Sequence, residues 1–373
     1  AGVLVGIGAP AAEAAGTCAD GTSPITVSGT EYCIWKTQQT SDASWIVPYW
    51  VTSIDILVVG GGAGGRSTSS STPGGGGGGG DVYGLGGITV SPGQSLTAKA
   101  GSGGSPNSDG GDSTLKVGGT TYTGSGGNTG NSLNDGGSSG INVSMPSYSK
   151  NQSYSGKGGN SSGLLEAAGG GSGAGGQGQA GTVSVNNNTA TGGNGGPGFN
   201  IRDAGFASNS TLVACGGGGG AYVGDDEYGV TEGDGGCVAA EGRGAWRDGG
   251  NTADLRQAAT DGVDPGSGGG GGAKATDAAS GAVGIVYIRY LALVKTLSLT
   301  DGAGQQPAAP APSGYPLSTQ PVVQLRDGTS NDPVADEDVV ASTSTSGCTL
   351  AGTTTQTTDA SGVATFTDLA LSR

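Results

Sequence analysis

The sequence predicts a mainly β chain: a β framework holding a glycine-rich bundle of polyproline II strands, followed by a second, smaller β domain. Three observations predict it. Short apolar segments are broken by glycine and proline turn pairs, as strands are. Glycine recurs at every third residue in two stretches, at Gly170, Gly173 and Gly176 and at Gly192, Gly195 and Gly198, and three is the period of polyproline II rather than of helix or strand. After Leu293 the glycine blocks stop and Thr, Ser, Val and Asp take over.

Taken in order, the chain begins "AGVLVGIGAPAAEAAGTC". An apolar run before an A-x-A site, Ala12-Glu13-Ala14, is similar to a signal peptide. It lacks a basic start, and residues 1–17 are read as an arm of the mature protein. Next come "ITVSGTEYCIW" and "SWIVPYWVTSIDILVV", which carry Trp35, Trp45 and Trp50. They are expected to form strands anchored by aromatic packing. The second of these runs into Gly60, Gly62 and Gly65, the spacing G-x-G-x-x-G of a dinucleotide site. That motif must open a helix, whose N-terminal amides hold the pyrophosphate. Here "RSTSSSTPGGGGGGG" follows, and Gly costs about 1 kcal/mol and Pro about 3 kcal/mol per helix position. No nucleotide site is expected. Hairpins are predicted at "GITVSPGQSLTAKAG", turning at Pro92-Gly93, and at "STLKVGGTTYTG", turning at Gly118-Gly119. Glycine clusters then lead to an apolar closing strand, "AVGIVYIRYLALV".

Composition removes several function classes. With 84 Gly and 15 Pro in 373 residues, and aromatics at 5%, one large core is not expected. Length alone suggests two or three domains. A net charge of −15 gives no basic patch for nucleic acid and repels anionic lipid. No apolar run reaches the ~20 residues of a membrane span. The absence of His rules out His-based triads and His-ligated zinc. No carboxylate pair is marked for catalysis, so no enzyme is expected.

Five cysteines remain, none in a C-x-x-C. Cys18 with Cys33, and Cys215 with Cys237, close short loops and are expected to form disulfides in an oxidising compartment, leaving Cys348 over. Between Cys215 and Cys237, Asp225, Asp226, Glu227, Glu232 and Asp234 offer the oxygen ligands that Ca²⁺ takes. They lack the EF-hand pattern and read first as a solvated loop. No cofactor is otherwise expected.

The run "VPYWVTSIDILVVGGGAGG", the block "GGGGGGGDVYGLGGITVSPGQSLTAKAGSGG" and the close on "GAVGIVYIRY" resemble, in that order, the glycine-rich domain of bacterial surface proteins and phage tail adhesins. The resemblance implies that the two ends of the segment form the β framework. It also implies receptor-binding loops at the bundle tip, with no particular residue carried over. "QPVVQLRDGTSNDPV" and "TLAGTTTQTTDASGVATFTDL" resemble a bacterial Ig-like domain of the invasin/intimin type. Alternation is visible in Val322, Gln324 and Leu325, with Gln324 outward, and in Val363, Thr365 and Phe366. The resemblance implies a surface stalk or spacer. The expected domains are therefore an arm at 1–17, a glycine-rich domain at 18–293 and an Ig-like domain at 294–373.

That last segment is shorter than the ~100 residues of such sandwiches, and a further strand is expected after "FTDLALSR". An incomplete sandwich exposes an edge for strand addition. In the arm, Val3, Val5 and Ile7 fall on one face and Leu4 on the other, a donor-strand pattern. The function expected is a secreted, non-enzymatic structural protein of the bacterial cell surface, a filament or matrix subunit that assembles with copies of itself head to tail. The alternative is a receptor-binding adhesin, of phage or cell, that recognises a glycan or surface protein.

Overall fold

The computed structural model describes residues 16–67, 72–130, 135–146, 148–224, 229–237, 242–244, 246–248, 256–273, 278–293, 295–299, 314–317, 319–327, 331–343 and 347–372. They form strands, turns and extended segments, with no helix among them, so the chain is mainly β. No helix of the described residues is long and apolar enough to cross a membrane. Two compact units are present, Ile25–Leu291 and a second made of residues 1–24 and 292–373.

Among the described residues, two of the five sheets of the larger unit form its framework. Its first strands are β1 (Ile25–Val27), β2 (Thr30–Thr37), β3 (Ala43–Ile46), β4 (Ser53–Val59), β5 (Val82–Thr89), β6 (Ser95–Lys99), β7 (Ser113–Val117), β8 (Thr120–Gly124), β9 (Ser139–Met145) and β10 (Tyr148–Tyr154). The closing strand, Ile285–Leu291, inserts between β2 and β4 and is antiparallel to both. This gives a seven-stranded sheet in which Ile288 faces Trp35 on one side and Ile56 on the other. The two ends of the glycine-rich segment are thus neighbours at the sheet centre. Apart from Asp55, "IDILVV" is apolar throughout because both faces of β4 are covered. Leu57 and Val59 pack with Val82, Ile141, Ile285, Tyr287, Phe199 and Phe206. Ile56 and Val58, on the other face, are also fully buried.

A four-stranded sheet, β3-β6-β7-β8, completes the framework. The hairpins predicted at Pro92-Gly93 and Gly118-Gly119 are β5–β6 and β7–β8 respectively in position, but only β7 and β8 pair with each other. The chain instead changes sheet at Pro92, and β6 pairs with β3. The aromatic anchor is a chain of rings: Trp35 lies 6.3 Å from Trp45, and Trp45 lies 5.3 Å from Tyr290.

Beyond the sheets the glycine segments form the bundle. In residues 60–66 successive amides address three neighbours in rotation. Gly60, Ala63 and Arg66 donate to Asp81, Gly78 and Gly75; Gly61 and Gly64 donate to Gly111 and Ser108; Gly62 and Gly65 donate to Ala282 and Ala279. All seven bonds are 2.9 or 3.0 Å. The carbonyls accept in the same rhythm: Gly104 and Asn107 donate to Gly62 and Gly65, and Gly269 and Gly272 donate to Ala63 and Arg66. A repeat of three with outward-pointing amides is polyproline II geometry, here with its backbone groups paired between strands. The segment 74–80 repeats the pattern, with Gly74, Gly77 and Gly80 donating to Gly272, Gly269 and Gly266. Gly192 and Gly195, from one sequence period, donate to Thr231 and Asp234, whereas Gly173 and Gly176, from the other, bond to each other across a tight turn, so the strand expected there reverses instead.

Glycine is required for space. A Cβ on Gly62, Gly65 or Gly77 would lie under 3.0 Å from a neighbouring main chain. The G-x-G-x-x-G glycines are therefore packing positions in the bundle.

In the smaller unit, Lys295–Leu299, Val322–Asp327 and Val363–Thr365 form one sheet. Two strand pairs accompany it, Asp338–Val340 with Thr355–Thr357 and Thr349–Ala351 with Ala370–Ser372. Leu317, Val323, Val339, Ala364, Phe366 and Leu369 form its core. Val323 and Leu325 are the inward residues, and Val322 shares the outer face with Gln324. The last strand is held on both sides, Ala370 pairing with Ala351 and with Pro316. The edges of the three-stranded sheet are instead Lys295–Leu299 and Val363–Thr365. The arm residues Val3, Leu4, Val5 and Ile7 lie outside the described residues.

Candidate functional site

Of the five acidic candidates between the cysteines, Glu232 and Asp234 lie in described residues, while Asp225, Asp226 and Glu227 lie outside them. Both described carboxylates face one guanidinium: Arg243 is 3.2 Å from Glu232 and 3.5 Å from Asp234. An internal cation thus occupies the position in which a Ca²⁺ was considered. Cys215 and Cys237 are joined in a disulfide with Cα atoms 5.6 Å apart. Cys18 and Cys33 are each disulfide-bonded, and Cys348 is a half-buried free thiol. Asp264 sits beside the Cys215–Cys237 bridge, and burial raises its pKa above the ordinary value. Oxidised sulfurs are not metal ligands, since the thiolate is the ligand form.

A larger cavity lies elsewhere among the described residues. A cleft of about 660 Å³ is lined by Arg66, Asp109, Asn128, Thr129, Asp135 and Ser138, among others. Its residues come from four segments that the bundle holds together. Arg66 ends the first glycine strand; its amide donates to Gly75 and its carbonyl accepts from Gly272. With the backbone fixed at both points, the side chain is delivered into the cleft. Its Nη2 donates to the Gly130 carbonyl. Its Nε is buried with no partner among the described residues, a donor that a bound acceptor would satisfy.

Opposite, Asp109 Oδ1 accepts from the Thr129 amide at 2.7 Å and from its hydroxyl at 3.1 Å. Asn128 Nδ2 donates to Ser138 Oγ at 3.0 Å. The Asn128 main chain is fixed in turn, accepting from Gly78. Among the described residues the wall therefore offers one guanidinium, two carboxylates, an amide and hydroxyls, and no aromatic or aliphatic side chain. Such a surface suits a ligand rich in hydroxyl groups, because it both donates and accepts. It does not suit a polyanion or an apolar cofactor.

A family model for the glycine-rich domain matches residues 37–291, more than half of the chain. The chain belongs to the glycine-rich domain family. No curated protein matches it at a significant level. In this glycine-rich domain the match begins at the end of β2 and ends on the closing strand, so it spans the bundle and the framework from β3 onward. The cleft residues were not singled out from the sequence. The one signal was Arg66, a cation placed directly after the Gly60–Gly65 run and before a glycine block.

Proposed function

We propose that the chain is a secreted, non-enzymatic protein of a bacterial surface whose glycine-rich domain displays a recognition site for a glycan. The observation that carries this reading is the Arg66 cleft, with its unpartnered buried Nε–H and its mixed wall of carboxylates, amide and hydroxyls. Of the two functions expected from the sequence, this is the adhesin. The disulfides support export, since such bonds persist in oxidising compartments. The smaller unit would act as the Ig-like spacer that carries the recognition domain. Titration of the full chain with soluble mannan, galactan and dextran tests the reading. One of them is expected to bind, and Asp109→Asn with Asp135→Asn is expected to weaken it about tenfold, the size of one charge-assisted hydrogen bond. No binding, or equal binding by the variant, would overturn it.

Filament assembly is a second proposal, and the position of Lys295–Leu299 as an outer strand of the three-stranded sheet, with no further strand paired to it among the described residues, favours it. A donor strand from Val3, Leu4, Val5 and Ile7 would pair there. Deletion of residues 1–10 is then expected to abolish fibres in negative stain; fibres that persist in the deletion variant rule out donation by this arm.

A further inference from the structure

A second groove, of about 210 Å³, opens between the two framework sheets, apart from the Arg66 cleft. Its floor is a row of side chains from three adjacent strands. Tyr83 of β5 stands level with Asn142 of β9, and Asn142 level with Asn151 of β10. Their neighbours Val82 and Ile141 belong to the core on the opposite face, as the alternation of strands requires. Thr123 and Ser125, at the end of β8, form the facing wall. The Tyr83 ring is braced by Tyr122, with centroids 6.1 Å apart.

Asp81 closes one end. Its backbone is locked, donating to the Ser125 carbonyl at 2.8 Å and accepting from the Gly60 amide at 3.0 Å. Its carboxyl accepts from the Gly140 amide, and burial raises its pKa despite that bond, helped by the nearby Asp112. Gly140 permits this approach, since a Cβ there would sit 3.3 Å from Oδ1. A carboxylate has about four lone-pair sites, so acceptor capacity remains for a ligand.

The chemistry of the lining selects the ligand class. No Lys or Arg is among the described groove residues, so an anion would meet the repulsion of Asp81. Amides and hydroxyls disfavour an apolar guest. The volume lies below the ~300–1,000 Å³ of drug-sized sites, which leaves room for one ring. A neutral pyranose satisfies each wall: vicinal hydroxyls donate to Asp81, the Asn142 and Asn151 amides both donate and accept, and the Tyr83 ring takes the sugar's C–H face.

We infer that the Asp81–Tyr83–Asn142–Asn151 groove binds a single neutral sugar ring, as a site distinct from the Arg66 cleft. This deepens the glycan reading above and rests on it. Saturation-transfer NMR of the full chain with the methyl glycosides of mannose, glucose and galactose, each at about 10 mM, matches the affinity near 1 mM expected of so small a contact. Transfer to the ring protons of one glycoside is expected. Asp81→Asn keeps the acceptor for Gly140 and should fold, yet lose about tenfold in affinity. The double variant N142A/N151A should lose the signal. Absence of transfer for all three glycosides overturns the inference, as does transfer unchanged in both variants. Shifts of Asp81 and Tyr83 resonances on adding methylguanidinium, without any by the glycosides, would make the groove a cation site and also overturn it. Polysaccharide binding that depends on Asp135 while the glycosides fail would sink this groove alone and leave the Arg66 reading standing.

Discussion

Replacing Arg289 by Met is expected to cost the larger unit about 3–5 kcal/mol, the range found when one partner of a buried ion pair is removed. The closing strand carries this guanidinium into the core, where it is 5% exposed. Nε and Nη2 donate to Asp55 Oδ2 at 3.0 and 2.6 Å, and Nη1 donates to the carbonyls of Ala204 and Gly205 at 3.1 and 2.9 Å. The rings of Tyr32 and Phe206 lie 4.6 and 5.1 Å from its Cζ. The residue thus joins β2, β4, the closing strand and the 199–213 hairpin at one point. Met fills the space but leaves Asp55 Oδ2 and two carbonyls without their donors, while Asp55 Oδ1 keeps the Gly87 amide at 2.8 Å. Domains of this kind have about 5–15 kcal/mol of stability in all, so the loss is a large share. Urea unfolding of the variant measures it. A loss below about 1 kcal/mol would mean that water replaces the guanidinium. The double variant D55L/R289M should be milder than R289M, because no charge is stranded.

Gly77→Ala is expected to be as damaging, although it adds one methyl group. Its Cβ would fall inside contact distance of the Ala63 carbonyl and of Gly64. Both obstacles are main chain, so no rotamer change relieves them. Strand 60–66 would have to move away, weakening the bonds from Ala63 to Gly78 and from Gly269 to Ala63. Overpacking of about 1–3 kcal/mol with two hydrogen bonds at about 1 kcal/mol each gives about 3–5 kcal/mol. Gly119→Ala is the control: nothing lies within 4 Å of its Cβ, and a small gain or no change is expected. Thermal unfolding of both variants decides. Equal midpoints would show that the bundle yields locally and that its glycines are not needed for space.

The framework was legible because its signals are local. "IDILVV" and "IVYIRY" are apolar but for Asp55 and Arg289, each abuts glycine at one end, and each is a strand buried on both faces. The bundle was legible only in part. In "GGNGGPG" the interspersed Asn and Pro mark the period of three, whereas in Gly74–Gly80 an unbroken run carries no marker, and the same period emerges only from its hydrogen bonds. The change of sheet at Pro92 was hidden because a turn pair fixes the reversal of the chain, not the partner of the next strand. Neither groove was legible. Asp109 and Asp135 look like solvated acids in a polar sequence, and Tyr83, Asn142 and Asn151 are ordinary outward strand residues until β8 is placed opposite them.

The rotation of amides around three neighbours also limits how such a chain can change length. With three residues per turn, one inserted residue swings every later donor by about 120°, away from its acceptor and toward a strand already served. An insertion of one or two residues therefore misaddresses a whole strand, while an insertion of three restores every bond one step further along. The inherited variation of this architecture should accordingly run in threes within the strands. The turns between them are free of that arithmetic, and length can drift there without disturbing what the bundle holds in place.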